Sequence, residues 1–193
     1  RDKYAPDFEC YQMDLSGPVQ DAIDAGVNPD DLAGWSKFNA NPQRAKGFFS
    51  RMLEAVFLGK GDHPELNVDD LTSNWTGDRR VAMMYVGANN PQMDMIDRIA
   101  TDTLKGIKVV TLSGARKYHG KKITQKNCQQ IVSEIVEETE KSGESVLIIS
   151  NIMAQRSFSI PEITELYLAY DAGQVGATLQ KMSRVLTPGE ISK

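Results

Sequence analysis

The polar residues best placed to do chemistry lie between Ser145 and Gly189. Ser145–Ile149 is a short apolar run rich in β-branched residues, which predicts a buried strand. A polar turn with Ser150, Asn151, Gln155, Arg156 and Ser157 follows, and Ser159 comes just after it. Hydroxyls and free backbone N–H groups suit phosphate oxygens and hold a nucleic-acid backbone without reading its sequence. The same hydroxyls also suit a plain polar loop that satisfies its own backbone. Further on, Gln180 and Arg184 stand four residues apart. They therefore share one face of a helix predicted over Ala177–Leu186 and stopped by Pro188 and Gly189. An arginine so placed is either a surface residue of a terminal helix or a cation that neutralises charge on a transferring phosphoryl group.

Such residues need a sheet whose strand ends bring them together. Strands are predicted at Val81–Val86, Ile107–Leu112, Ser145–Ile149 and Ile163–Tyr170. Between the first two, Asn90 reads as the cap and Pro91 as the start of a helix through Leu104, with Met93, Ile96, Ile99 and Ala100 inward. Between the second and third, Thr124 reads as the cap of a helix to about Lys141, with Cys128, Ile131, Val132, Ile135 and Val136 as its stripe and Gly143 ending it. The alternation predicts an α/β fold: a mainly parallel sheet with right-handed crossovers and helices on both faces.

Functional groups collect at the carboxyl ends of parallel strands. Two other loops should lie there beside the Ser150 turn. They are Gly87-Ala88-Asn89-Asn90 after the first strand and Ser113-Gly114 after the second. Small residues let a phosphate approach the backbone, and a following helix N-terminus favours an anion. Beyond Ser113 runs a basic strip of Arg116, Lys117, His119, Lys121, Lys122 and Lys126, which suits a single-strand sugar–phosphate backbone or a solvated loop.

The chain before residue 80 differs in character. Residues 1–16 hold one strand-like segment, Phe8–Met13, and residues 17–79 are helical. Ser16 is a candidate cap for a helix from Pro18 to Ala25, and Asn41 caps a better one over Pro42–Leu58. The apolar face of the second helix comprises Ala45, Phe48, Phe49, Met52, Val56 and Phe57. A further turn or helix is expected within Asn67–Trp75. Nothing in 17–79 carries chemistry, and a helical insertion packed beside the sheet is its simplest reading.

The late stretch resembles the second RecA-like domain of superfamily-two helicases, a branch of the P-loop NTPase fold. The fifth motif of that family follows a strand with a polar turn and runs through Arg-Gly-x-Asp to Pro. Here Ser150 ends the strand and Arg156-Ser157-Phe158-Ser159-Ile160-Pro161 follows. The sixth motif, Gln-x-x-Gly-Arg-x-x-Arg, aligns with Gln180-Lys181-Met182-Ser183-Arg184-Val185-Leu186-Thr187. Ser157 and Ser183 replace glycines, Ser159 replaces the Asp and Thr187 the last Arg, as in a divergent member. The resemblance implies a RecA-like helicase C-terminal domain over 80–193, a linker and incoming strand over 1–16, and a helical insertion over 17–79. It implies Arg184 and Gln180 as catalytic residues and Arg156, Ser157 and Ser159 as nucleotide-binding. Gly87, Ala88, Asn89, Ser113, Gly114, Lys117, Ser150 and Asn151 would bind nucleic acid. The cofactors implied are ATP and Mg²⁺, held mainly by an N-terminal RecA-like domain. The chain itself has no Gly-x-x-x-x-Gly-Lys-Ser/Thr cradle.

Composition bounds these readings. The 193 residues are 40% hydrophobic and 25% charged, as in ordinary globular proteins. A net charge of −4 argues against a surface that grips nucleic acid everywhere. Two cysteines, Cys10 and Cys128, and two histidines without metal-ligand spacing make a metal site unexpected. No apolar run is long enough to span a membrane, and a reduced, cytoplasmic setting is the expectation. The chain starts at Arg1 and stops just past the last motif, so it is expected to be part of a longer protein. The leading expectation is the C-terminal motor domain of an ATP-dependent, DNA-directed helicase or translocase. The alternatives are a non-catalytic nucleic-acid-binding scaffold of degenerate helicase fold, and an unrelated α/β enzyme that binds a phosphorylated metabolite at the same sheet edge.

Overall fold

The structure, a computed structural model, describes residues 14–32, 46–67, 79–86, 89–151, 160, 162–163 and 165–169. Its helices are α1 (Ser16–Asp24), α2 (Pro29–Leu32), α3 (Lys46–Leu58), α4 (Asn90–Thr103) and α5 (Cys128–Ser142), with a 3-10 turn at Pro64–Leu66. Its strands are β1 (Val81–Val86), β2 (Lys108–Leu112), β3 (Lys117–Tyr118), β4 (Lys121–Lys122), β5 (Val146–Ser150) and β6 (Glu165–Ala169).

Four strands form one sheet in the order β2-β5-β1-β6, and every pairing in it is parallel. Val81 is opposite Val146, and Ala82 is opposite Glu165. All six residues of β1 are buried, because the strand is central and covered on both faces. The α/β expectation of a mainly parallel sheet with helices therefore holds.

Alternation along the strands divides the core into two layers. Ala82, Met84 and Val86 of β1 join Leu147 and Ile149 of β5 beneath α3 and α4. Val81, Met83 and Tyr85 join Val146 and Ile148 on the opposite face, beneath Ile131, Val132, Ile135 and Val136 of α5. The β1–β2 connection moves one way along the sheet, and the β2–β5 connection moves back. Right-handed crossovers then require helices on opposite faces, as seen. Ile160 and Ile163, between β5 and β6, pack on the α5 face. In α3, the buried Phe48, Phe49, Met52 and Val56 anchor the early helices to the sheet. Each such side chain contributes about 1.5–3 kcal/mol by burial.

Several boundaries differ from the sequence expectation. Asn89, not Asn90, caps α4: its side chain accepts from Gln92 N while Gln92 Oε1 accepts from Asn89 N. This reciprocal box wins because it satisfies two otherwise open N–H groups. Ser16 lies inside α1 rather than capping it, and its N–H donates to Asp14. Thr124 belongs to a turn with Asn127, and α5 begins only at Cys128. Gly143 ends α5 in the left-handed conformation, φ 71°, as expected of a C-terminal glycine. The fourth strand starts at Glu165, with Ile163 buried ahead of it. The basic strip, expected as a loop, contains the antiparallel β3–β4 hairpin. Phe8–Met13, Asn41, Pro42 and Trp75 lie outside the described residues.

At the amino ends of the strands, two adjacent arginines tie the layers together. Arg79 donates to the carbonyls of Val136 and Glu144 and to Thr139 Oγ1, closing the end of α5. Arg80 binds Glu165 through Nε at 3.0 Å and Nη2 at 2.5 Å, and its Nη1 donates to the Phe57 carbonyl of α3. Tyr167 Oη donates to the same Glu165 at 2.6 Å. Burial first, then the neighbouring Glu165 charge, pushes the Tyr167 phenol pKa far up.

Candidate nucleic-acid interface

The helix that follows β1 packs on one face of the sheet, and Ile160 and Ile163, which follow β5, pack on the other. A switch in strand order of this kind is where ligands of parallel sheets bind. Asn90, in the first turn of α4, and Asn151, just after β5, meet there: Asn151 Nδ2 donates to Asn90 Oδ1 at 3.0 Å. Asn151 N also donates to the Leu112 carbonyl at 3.4 Å, which draws in the end of β2. Gly114 comes close enough that a Cβ there would lie 3.4 Å from Asn90 Nδ2.

Ser113 stands between these contacts with no exposed surface, and its Oγ has no hydrogen-bond partner among the described residues. Buried hydroxyls are rarely left so, since the lost hydration costs about 1–3 kcal/mol. Ser150 is the last residue of β5 and is fully buried, so its hydroxyl is out of reach of a ligand. The start of α4 adds its partial positive charge.

The structure thus brings together Ser113 and Gly114, which follow β2, and Ser150 and Asn151, at the end of β5, beside Asn90 of α4. Asn89 adjoins them, but its side chain is engaged in capping α4. Lys117 is set apart on the hairpin. Gly87, Ala88, Arg156, Ser157, Ser159, Gln180 and Arg184 lie outside the described residues. Asn90 belongs to the strand-end loop that the sequence placed beside the Ser150 turn, but its side-chain bond to Asn151 has no local signal.

The basic strip lies at the β2 edge of the sheet. A cleft of about 460 Å³ runs there between Asp97 and Thr101 of α4, the β2 edge, and Arg116, Lys117 and Tyr118. Arg116 is held by Asp94 at 2.9 Å and Asp97 at 3.2 Å, and Thr111 Oγ1 donates to Asp97 at 2.6 Å. The hairpin turns at His119 and Gly120, whose φ values are 45° and 78°. Two positive φ values mark the tight primed turn that matches strand twist. His119 occupies a position that suits Asn or Gly better, at a cost of about 1–2 kcal/mol.

Glu138 of α5 accepts from Tyr118 Oη at 2.7 Å and shares a hydrogen bond with His119 Nε2 at 2.8 Å. The Tyr118 bond, then the His119 bond, hold its carboxyl below the ordinary carboxylate range. Lys121 Nζ lies 3.7 Å from Glu134. Lys117, Lys122 and Lys126 form no ion pair among the described residues.

Among the described residues no group of His, Cys, Asp or Glu is arranged to hold a metal ion, and no helix is long and apolar enough to cross a membrane. No protein-family model matches the chain, and no curated protein or solved structure matches it significantly.

Proposed function

We propose that this chain is the second RecA-like domain of an ATP-dependent helicase or translocase that tracks single-stranded DNA. The observation that carries the reading is the convergence of three strand ends, joined by the Asn151–Asn90 bond, with Gly114 beside Asn90. Amide donors beside a helix N-terminus suit a backbone phosphate, and none of them reads a base. Such a contact grips any sequence, as a translocating motor must.

In this reading Arg156, Ser157 and Ser159 would bind the nucleotide, and Gln180 and Arg184 would act in catalysis with an N-terminal RecA-like domain. That domain would hold most of ATP and Mg²⁺, since this chain has no phosphate cradle of its own. ATP supplies the free energy of movement. This chain's part is to hold the strand and to present Arg184 to the charge that grows during phosphoryl transfer.

Gly114→Val tests this strand-end site. The Gly114 backbone φ lies outside the left-handed region, so valine adds bulk beside Asn90 without backbone strain. Binding of a fluorescent oligo-dT should weaken at least about fivefold, or roughly 1 kcal/mol, while the thermal melt stays near wild type. Unchanged affinity with an unchanged melt would remove these strand ends from the proposed interface.

A further inference from the structure

We infer that α5 is an electrostatic brake on the β3–β4 hairpin: Glu138 and Glu134 occupy hairpin groups that a nucleic-acid backbone would otherwise engage. The inference rests on the reading that this chain binds single strands.

Tyr118, His119 and Lys121 sit on a six-residue turn of chain, and all three point their polar atoms at the same acidic helix. A carboxylate offers two oxygens to donors much as a phosphate does. Glu138 uses both, one for Tyr118 and one for His119. The contacts are exchangeable, because His119 is 62% exposed and Lys121 is 59% exposed. Exposed ion pairs are weak and salt-screened, so a polyanion can displace them. The His119 ring also stacks edge-on against Tyr118, with centroids 4.2 Å apart, so the two groups are held as a unit. The cations at Lys117 and Lys122 flank that unit on the two paired strands. A strand arriving there meets two open lysines at once. It gains the His119–Lys121 groups only by taking them from α5.

The test is binding of fluorescent oligo-dT by the 193-residue chain over a salt series, with wild type, Glu138→Gln, Glu134→Gln/Glu138→Gln and Glu140→Gln. Glu140 is exposed two residues along α5, pointing away from Glu138, and its replacement changes net charge equally. The brake predicts binding about two- to fivefold tighter for Glu138→Gln than for Glu140→Gln. For Glu134→Gln/Glu138→Gln it also predicts a log–log salt slope steeper by about 0.7, for the one Lys121 charge released from Glu134. Amide exchange at residues 117–122 should rise in Glu138→Gln, showing the hairpin freed in a folded chain. Equal affinities for Glu138→Gln and Glu140→Gln would overturn the brake while leaving single-strand binding intact. No binding by wild type or any variant would overturn the reading on which it rests.

Discussion

The Asn151 side chain donates to the Asn90 side chain at 3.0 Å, and this bond joins the loop after β5 to the first turn of α4. The bond is exposed, so water can replace either partner, and Asn90→Ala should cost at most about 1 kcal/mol.

Asn89 and Asn90 should separate cleanly by experiment. Asn89 is committed to the capping box with Gln92. Asn89→Ala should cost about 1 kcal/mol of stability in urea unfolding. Its oligonucleotide affinity, measured well below the melting temperature, should stay within about twofold of wild type. A large affinity loss without a stability loss would give Asn89 a direct ligand contact instead.

The buried Arg80–Glu165 pair should behave as a coupled unit. Arg80→Met leaves Glu165, which is 6% exposed, without its bidentate partner. Loss of one member of a buried pair costs about 3–5 kcal/mol. Arg80→Met/Glu165→Leu should regain much of that, since apolar replacements of both members remove the stranded charge. A denaturant series on the two single variants and the double variant measures the coupling. Strict additivity would show that the pair is not coupled.

His63 makes a modest pH dependence. Its Nε2 lies 2.7 Å from Asp21 Oδ2, linking the 3-10 turn to α1, and that bond raises the His63 pKa above its ordinary value near 6.5. A raised pKa in the folded state means protons are held more tightly there than in the unfolded chain. The stabilisation is therefore full below about pH 6.5 and fades as pH rises through the folded value. The melting temperature of wild type relative to Asp21→Asn should fall by a few degrees at most between pH 5.5 and 8. A flat difference would mean that the bond does not depend on charge.

For Arg184 the expected effect is on turnover. In a motor assembled with its nucleotide-cradling domain, Arg184→Ala should lower kcat for nucleic-acid-stimulated ATP hydrolysis at least about tenfold, or roughly 1.4 kcal/mol. Nucleotide affinity should change little, because the charge matters most as phosphoryl transfer proceeds. Arg184→Lys should rescue only in part, since an ammonium lacks the planar fork. Wild-type turnover in Arg184→Ala would make the residue structural.

Much of this architecture was legible in the sequence because its signals are local. The Val81–Val86 run has the observed bounds of β1, and the stripe from Cys128 to Val136 is the buried face of α5. The alternation of elements also implied that the loops at Asn90, Ser113 and Asn151 would meet. The Asn151–Asn90 bond itself was not legible, because it joins residues 61 apart. The Arg80–Glu165 pair spans 85 residues and has no local signature. The hairpin escaped notice for another reason: Lys117-Tyr118-His119-Gly120-Lys121-Lys122 lacks apolar alternation, and His-Gly stands where Asn-Gly would signal the turn. The cap of α4 was readable in hindsight from Asn89-x-x-Gln92, a capping-box spacing that the neighbouring Asn90 obscured.

The strand order β2-β5-β1-β6 also bears on how the chain is made. Within the four-stranded sheet, β1 pairs with β5 and β6 and not with β2, the strand of the sheet that follows it in sequence. Val81 waits for Val146, and Lys108 waits for the same residue from the other side. On the ribosome, β1 and β2 therefore emerge before either has its partner in this sheet, and β5 completes both pairings by sliding between them. Until then the apolar Val81–Val86 run is shielded only by its helices. Such late, non-local closure slows folding and prolongs exposure to aggregation. Any truncation that ends before Ser150 should yield not a smaller domain but a sticky, incompletely folded chain.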